Sequence, residues 1–460
     1  MALIKWQSFQ PLKEKSCDRC LASNGPDKEN SVKSILIQNA YILDPSQNIS
    51  DFGSLLIDGG KIIWLGLGNQ KPASGDYTLF DANRLVVCPG FIDLHCHLRD
   101  PGFKEKETIA TGTRAAARGG FTTICCMPNT EPPIDNPSIV DYVKTTADRE
   151  GTVRVLPIGC ISKGRRGESL ADMKELIQAG VVAFSDDGSP VMNSRIMRQA
   201  LECSRAFNFP IIDHCEDKLL AEGGQINEGD VSARLNLPGM PAAAEEIMIA
   251  RDIALAELTG GRLHIAHVST AGSVDLIRSA KSKGLRVTAE VTPHHLTLTE
   301  EKVIGYDTNA KVNPPLRTPE DVEALIQGLR ENVIDIIATD HAPHTAIEKQ
   351  REFASAPFGI SILETAAGML LDLVHTGKLD LNLLISKMTS EPARIIGDRF
   401  GKLGTFAIGS PADITIIDIN KEWVVDPADF SSKGRNTPLR GKTLKGKVIA
   451  TFYQGRQVYG

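Results

Sequence analysis

From about Cys88 to Phe400 the chain repeats one unit: an apolar run of roughly four to eight residues, a polar cluster, then a segment with helical period. The runs end at Leu94, Met127, Ile161, Phe184, Ile212, Ala266, Val291 and Ala338. Helical segments follow at Glu105–Arg118, Leu170–Ala179, Ser194–Ala206, Ala242–Leu258, Ala271–Lys283, Glu320–Arg330 and Ile360–Val374, several closed by glycine, as at Gly180 and Gly260. Strands that are apolar throughout and alternate with helices predict a parallel sheet covered on both faces. About eight such units predict closure into a (β/α)8 TIM-type barrel.

A different texture flanks this region. Ile35–Ile37, Leu55–Ile57, Ile62–Leu65 and Arg84–Val87 are short runs separated by turn residues such as Asp58-Gly59-Gly60, and the same texture returns in Ala412–Ile417, Lys447–Phe452 and Arg456–Tyr459. The expectation is an α/β protein in which residues 34–88 and 401–460 pair into a small β-sandwich-like domain and residues 89–400 form the barrel. Residues 1–33 are polar and aperiodic, the composition of an extension that need not pack.

Composition narrows the functional classes. The chain has 460 residues and a formal net charge of −6, with no basic run that would track a phosphate backbone, so nucleic acid is not an expected partner. No apolar stretch approaches the roughly 18 to 20 residues needed to span a bilayer, and the first thirty residues lack the apolar segment of a secretory signal. A soluble, cytoplasmic enzyme is expected. Nine cysteines, several inside apolar strand-like runs, fit a reducing compartment. Cys17 and Cys20 have metal-like spacing but lack the second pair that a structural zinc needs.

Nine of the ten histidines fall at or near the end of an inferred strand. In a barrel those ends converge on one mouth, so residues distant in sequence share a site. His95 and His97 stand at i and i+2 and therefore share a strand face. His214 on strand five, His267 on strand six and Asp340 on strand eight complete a nitrogen and oxygen donor set suited to Zn²⁺ or a similar divalent ion, with a position left for water. His264 lies on the opposite strand face from His267 and is expected to be structural. His294 and His295 cannot both face inward, and His375 falls at a helix end on the surface.

These motifs resemble the metal-dependent amidohydrolases, and within them the dihydroorotases of the long-chain bacterial type, over nearly everything from Ser34 to Gly460. The resemblance is carried by Asp93-Leu94-His95-Cys96-His97-Leu98-Arg99-Asp100-Pro101-Gly102, Cys126-Met127-Pro128-Asn129-Thr130, Ser185-Asp186-Asp187-Gly188, Asp213-His214-Cys215-Glu216, Lys311-Val312-Asn313-Pro314-Pro315-Leu316-Arg317, Thr339-Asp340-His341-Ala342-Pro343-His344 and Pro357-Phe358-Gly359. It implies that His95, His97 and Asp340 hold one metal ion, that His214 and His267 hold a second, and that Asp187 stands between them. Hydantoinases and allantoinases, relatives in the same superfamily, bridge their ions with a modified lysine on strand four. Val181–Gly188 contains no lysine, so an aspartate takes that place: Asp187, with Asp186 as the alternative because neighbours on a strand face opposite ways.

The implied reaction is the reversible cyclisation of N-carbamoyl-L-aspartate to (S)-dihydroorotate and water in de novo pyrimidine (UMP) biosynthesis. Asp340 serves as general acid and base, and one or two Zn²⁺ ions activate water. Arg99, Asn129, Asn313 and His344 match the family's substrate contacts, with Phe358 and Gly359 touching the ring through backbone groups. The Gly305–Asp321 segment, punctuated by Asn-Pro-Pro and Thr-Pro, reads as a mobile loop over the mouth. A homo-oligomer, and an association with aspartate carbamoyltransferase, are the expected partnerships. The competing readings are another cyclic-amide hydrolase (a hydantoinase or allantoinase) and a catalytically silent barrel that scaffolds the transferase; a full ligand set counts against the latter.

Overall fold

The computed structural model describes residues 34–460; the N-terminal extension, with Cys17 and Cys20, lies outside the described residues. Eight parallel strands close a barrel: Phe91–Cys96, Phe121–Cys126, Arg154–Pro157, Phe184–Ser185, Ile211–Asp213, Leu263–Ile265, Val287–Val291 and Ile336–Ile337. They are called barrel strands one to eight below. Strands one to three form one hydrogen-bonded sheet and strands four to eight another. Parallel bridges between Gly159 and Phe184, and between Cys96 and His341, join the two at both seams and complete the ring.

Side-chain alternation divides the core into two layers. Ile92, Leu94, Cys125, Met127, Leu156, Ile158, Ile212, Ala266, Ile336 and Ala338 fill the barrel interior, plugged at one end by Ile395, Ile396 and Leu403. Phe91, Cys96, Phe121, Ile124, Cys126, Ile211, Ile265 and Val291 face outward, among the surrounding helices.

The helices begin where the sequence supplies a cap. Thr108, Asn136, Asp172, Asn193, Thr270 and Thr318 each accept a first-turn backbone N–H through the side chain. These caps correct two helix starts expected from periodicity: the helix expected from Glu105 begins at Ile109, and that expected from Leu170 begins at Met173. The helix expected from Ile360 begins only at Ala366, because Ile360 pairs with His341 beside barrel strand eight. Helices Pro137–Glu150, Leu381–Met388 and Ser390–Ile396 fall outside the periodic segments named from sequence.

Both ends of the described chain meet in one eight-stranded sheet. Its order is Arg456–Tyr459, Thr443–Tyr453, Ile414–Val424, Val86–Pro89, Ile35–Asp44, Ile49–Asp58 and Lys61–Leu67, with Thr78–Asp81 also on Ile35–Asp44. A bulge between Ile37 and Ala40, with Asn39 at φ 55°, lets one strand pair with Thr78–Asp81 in its first half and Val86–Pro89 in its second. The sheet curls so that Phe80 and Phe452, from strands that are not neighbours in it, pack edge to face at 5.4 Å over a shared apolar core. The fold is a TIM barrel with a β-sandwich-like domain from both ends. Among the described residues, no helix is long and apolar enough to cross a membrane.

Candidate active site

Barrel strand one changes phase at its mouth end. Ile92 and Leu94 point into the barrel, yet Cys96 packs outside, and the pairing with strand two is irregular between Asp93 and Cys96. This shift turns His95 and His97 inward, where strict alternation from Leu94 would have turned them out. Asp93, fully buried, staples strand one to strand eight: its carboxylate accepts from the Thr339 N–H at 2.8 Å, the Thr339 hydroxyl at 2.6 Å and the His95 N–H at 3.2 Å. Asp340 then donates its N–H to the His95 carbonyl at 2.9 Å, and His97 donates to the His341 carbonyl at the same distance.

The side chains converge as expected. His97 Nε2 lies 2.9 Å from Asp340 Oδ1, and His95 Nε2 lies 3.5 Å from the same oxygen. Asp187 Oδ1 stands 3.3 Å from His95 Nε2 and 3.7 Å from both His214 Nδ1 and His267 Nε2, while its Oδ2 is 3.5 Å from His97 Nε2. His214 Nδ1 and His267 Nε2 approach to 2.8 Å. One carboxylate from strand four therefore touches four imidazoles from strands one, five and six. His267 and Asp340 both adopt left-handed backbone, at φ 32° and 47°. Such conformations cost roughly 1–3 kcal/mol each and persist where the surroundings impose them.

Asp186 is turned the other way. It accepts from the Ile161 and Ser162 N–H groups at 2.9 and 3.1 Å and from the Ser162 hydroxyl, so it secures the loop after strand three.

These residues fit a metal ion on an observation independent of their type. His95 Nε2 and Asp187 Oδ1 are buried and have no hydrogen-bond partner. An unsatisfied buried donor or acceptor costs about 1–3 kcal/mol, and more when charged, so a common occupant is the economical explanation. The donor atoms of His95, His97 and Asp340, and likewise those of His95, Asp187 and His267, all lie within 4.8 Å of one another.

The distal nitrogens of His95 and His97 are hydrogen-bonded, and that of His214 faces a carboxylate, the supports that metal-binding imidazoles commonly have. His95 Nδ1 is 2.6 Å from Glu290 Oε1, His97 Nδ1 is 2.9 Å from Asn129 Oδ1, and His214 Nε2 is 3.6 Å from Glu216 Oε2. Asn313 donates to that Glu216 oxygen at 2.6 Å. Burial works to raise both carboxyls, but the facing imidazoles, His95 and His264 for Glu290 and His214 for Glu216, outweigh it and hold each at about 2. Burial likewise opposes ionisation of Asp340, and His95 and His97 overcome it, keeping the group an anion. Sequence reading gave no role to Glu290 or Glu216; the signal for Glu290 was a lone carboxylate in the middle of a buried strand.

The remaining residues expected at the site are placed as follows. Arg99, at φ 58°, has its Nε 3.4 Å from the Pro343 carbonyl, and burial lowers its pKa. Asn129 and Asn313 are each committed through one atom to the histidine supports just described. His344 Nε2 donates to the Phe358 carbonyl at 2.8 Å, while its Nδ1 is buried without a partner. Burial, reinforced by Arg99, drops this imidazole to about 2, so it is neutral. The backbone of Gly359 is already engaged: its N–H donates to the Lys311 carbonyl and its carbonyl accepts from Asn436, at 2.9 and 3.0 Å. His264 is structural, between Thr288 and Glu290, and His375 is exposed at its helix end. His294 and His295 lie on a short helix, Pro293–Thr297; His295 is held by Thr292 and the Pro314 carbonyl, and both His294 nitrogens are buried without partners.

The Gly305–Asp321 segment, expected to be a mobile loop, carries two buried cations that tie it to neighbouring backbone. Lys311 Nζ donates to the carbonyls of Phe353, Ala354 and Ala356 at 2.7, 3.2 and 2.8 Å. Arg317 reaches Ser269, Asn227 and the Met240 carbonyl at 3.1, 2.6 and 3.0 Å. Both side chains are buried, so the proline-rich segment is anchored at two points.

Comparison with known proteins agrees with this architecture. Residues 84–273 match the family model described as Dihydro-orotase-like. The dihydroorotase of Pelotomaculum thermopropionicum is 52% identical over 92% of this chain and 98% of its own, and that of Aquifex aeolicus is 51% identical over 92% and 99%. Among solved structures, the L-hydantoinase of Arthrobacter aurescens superposes with a TM-score of 0.83 at 25% identity, covering 93% of this chain and 96% of its own. The dihydropyrimidinase of Brevibacillus agri gives 0.78 at 23% identity, covering 93% and 95%, which speaks to the fold alone. The chain belongs to the dihydroorotase family of cyclic amidohydrolases.

Proposed function

We propose that the protein interconverts N-carbamoyl-L-aspartate and (S)-dihydroorotate plus water, the ring-closing step of pyrimidine synthesis, at a zinc centre of two ions. His95, His97 and Asp340 would hold one ion and His214 and His267 the other, with the Asp187 carboxylate available to both. The observation that carries this reading is the pair of orphaned atoms His95 Nε2 and Asp187 Oδ1, 3.3 Å apart and buried.

When bound, such ions supply Lewis acidity, which lowers the pKa of water toward about 7 and polarises the cyclic carbonyl. The protein's own groups do the rest. Asp340, held anionic by His95 and His97, accepts the proton released as the ring amide is attacked and delivers it to the departing nitrogen; in the synthetic direction the same carboxyl returns it. Arg99 is a half-buried guanidinium with one long contact to a carbonyl, and it is free to grip the carboxylate that both substrates keep outside the reacting centre. Asn129 and Asn313 present their remaining amide atoms to the substrate while steadying His97 and Glu216. His344, with Phe358 and Gly359, forms the wall beside Arg99.

Zinc-loaded protein assayed for dihydroorotate hydrolysis by absorbance, beside hydantoin and allantoin, tests the reading. Turnover of dihydroorotate in preference to the other two is expected. Preference for either of the others, or no turnover by metal-loaded protein, overturns it.

A further inference from the structure

We infer that Glu290 is a positioning residue shared by both halves of the metal centre, orienting the ring of His95 and the backbone of His267 through a single carboxylate oxygen. The inference rests on the two-ion reading above and deepens it.

Glu290 lies on barrel strand seven, between strand six, which leads to His267, and strand eight, which leads to Asp340. Its Oε1 is 2.6 Å from His95 Nδ1 and 3.3 Å from the His267 N–H. Its Oε2 is 3.1 Å from His264 Nε2, and His264 Nδ1 is in turn 2.8 Å from the Thr288 hydroxyl. Glu290 and His264 are both fully buried, and among the described residues the ion-pair partners of Glu290 are His95 and His264 alone. A carboxylate in a strand core costs several kcal/mol unless every oxygen is satisfied, so this one is retained by what it holds.

What it holds are the two halves of the centre. By accepting from His95 Nδ1–H it fixes the ring with Nε2 toward Asp187 and Asp340. By accepting from the His267 N–H it secures a residue whose backbone sits at φ 32°. The other supports are local. Asn129 touches His97 in the first half, and Glu216 touches His214 in the second. Loss of Glu290 therefore perturbs both ions, whereas loss of Glu216 perturbs one.

The test uses full-length protein stripped by chelator and titrated with zinc against a competing chromophoric chelator. Alongside, the melting temperature and the ¹⁵N ring shifts of His95 are recorded on the metal-free form. Glu290→Gln should weaken both zinc-binding steps about 10- to 100-fold with an apo melting temperature near that of the parent, and should move the His95 Nδ1 resonance, whose hydrogen bond to a carboxylate is lost. Glu216→Gln should weaken one step only. If Glu290→Gln does not fold, His264→Gln, which removes only the far support of the carboxylate, should weaken both steps in the same direction. Zinc affinities and a His95 Nδ1 resonance equal to the parent's in the folded variant overturn the inference. Parent protein that takes up no zinc overturns the two-ion reading, while the His95 ring shifts still decide the role of Glu290.

Discussion

His95 Nε2 and Asp187 Oδ1 face each other at 3.3 Å inside the barrel mouth, and neither has a hydrogen-bond partner. Asp187→Asn should therefore reduce the zinc bound per chain and lower kcat by more than the roughly 10- to 100-fold that loss of an outer support costs. Asp186→Asn should behave differently, losing on the order of 1–3 kcal/mol of stability through its loop contacts while retaining its metal. Metal analysis and chemical denaturation of the two variants check the contrast. Metal loss confined to the Asp186 variant would reverse the assignment.

Arg99→Ala should raise KM for dihydroorotate by about 30-fold, the equivalent of about 2 kcal/mol for a charge-assisted contact, with zinc content unchanged. Steady-state kinetics with metal analysis on the same samples measure both. An unaltered KM removes Arg99 from substrate binding.

Lys311→Met should leave the carbonyls of Phe353, Ala354 and Ala356 without their shared donor. A loss of about 2–4 kcal/mol in unfolding free energy is expected, with new proteolytic cleavage in the 305–321 segment. Wild-type stability and protease resistance would show that the lysine is not the anchor.

The proton balance of the reaction sets its pH dependence. Ring closure removes a carboxylate and takes up a proton, so the ratio of dihydroorotate to N-carbamoyl-L-aspartate at equilibrium should fall about tenfold for each unit rise in pH through the neutral range. Equilibrium mixtures analysed by chromatography across that range give the slope directly.

Stability carries a separate pH signature at Glu364. Burial raises this carboxyl from 4.5 to about 7 against the opposing bond from the Ser431 N–H, and its Oε2 has no partner. A folded-state pKa above the unfolded value means the contribution is fully present below about 4.5 and is lost as pH rises through about 7. Glu364→Gln stays neutral, so its stability should overtake the parent's across that window by an amount on the order of 1–3 kcal/mol. Parallel denaturation curves at acidic and alkaline pH, with no widening of the difference, would contradict it.

The barrel, and the gathering of His95, His97, His214, His267 and Asp340 at its mouth, were legible because strand ends follow from periodicity, whereas Asp187 came from the resemblance. Strand ends in a closed parallel barrel share one mouth, and a two-residue repeat puts His95 and His97 together whatever face they occupy. Which face they occupy was not legible, since the phase change between Asp93 and Cys96 is a pairing irregularity with no local marker. The distinction between Asp186 and Asp187 follows from alternation once the strand's inward residue is known. The roles of Glu290 and Glu216 depend on contacts across strands, which spacing along one chain does not encode. The 305–321 segment reads as a loop from its prolines, while its attachment runs through Lys311 and Arg317, buried here although both residue types are usually exposed.

The proposed sharing of Asp187 between two ions is tested most directly by anomalous scattering at the zinc edge from crystals of the zinc-loaded protein. Two peaks flanking its carboxylate are predicted, one among His95, His97 and Asp340 and the other beside His214 and His267. Peaks elsewhere, or none within bonding distance of these side chains, would contradict the metal centre and the chemistry built on it.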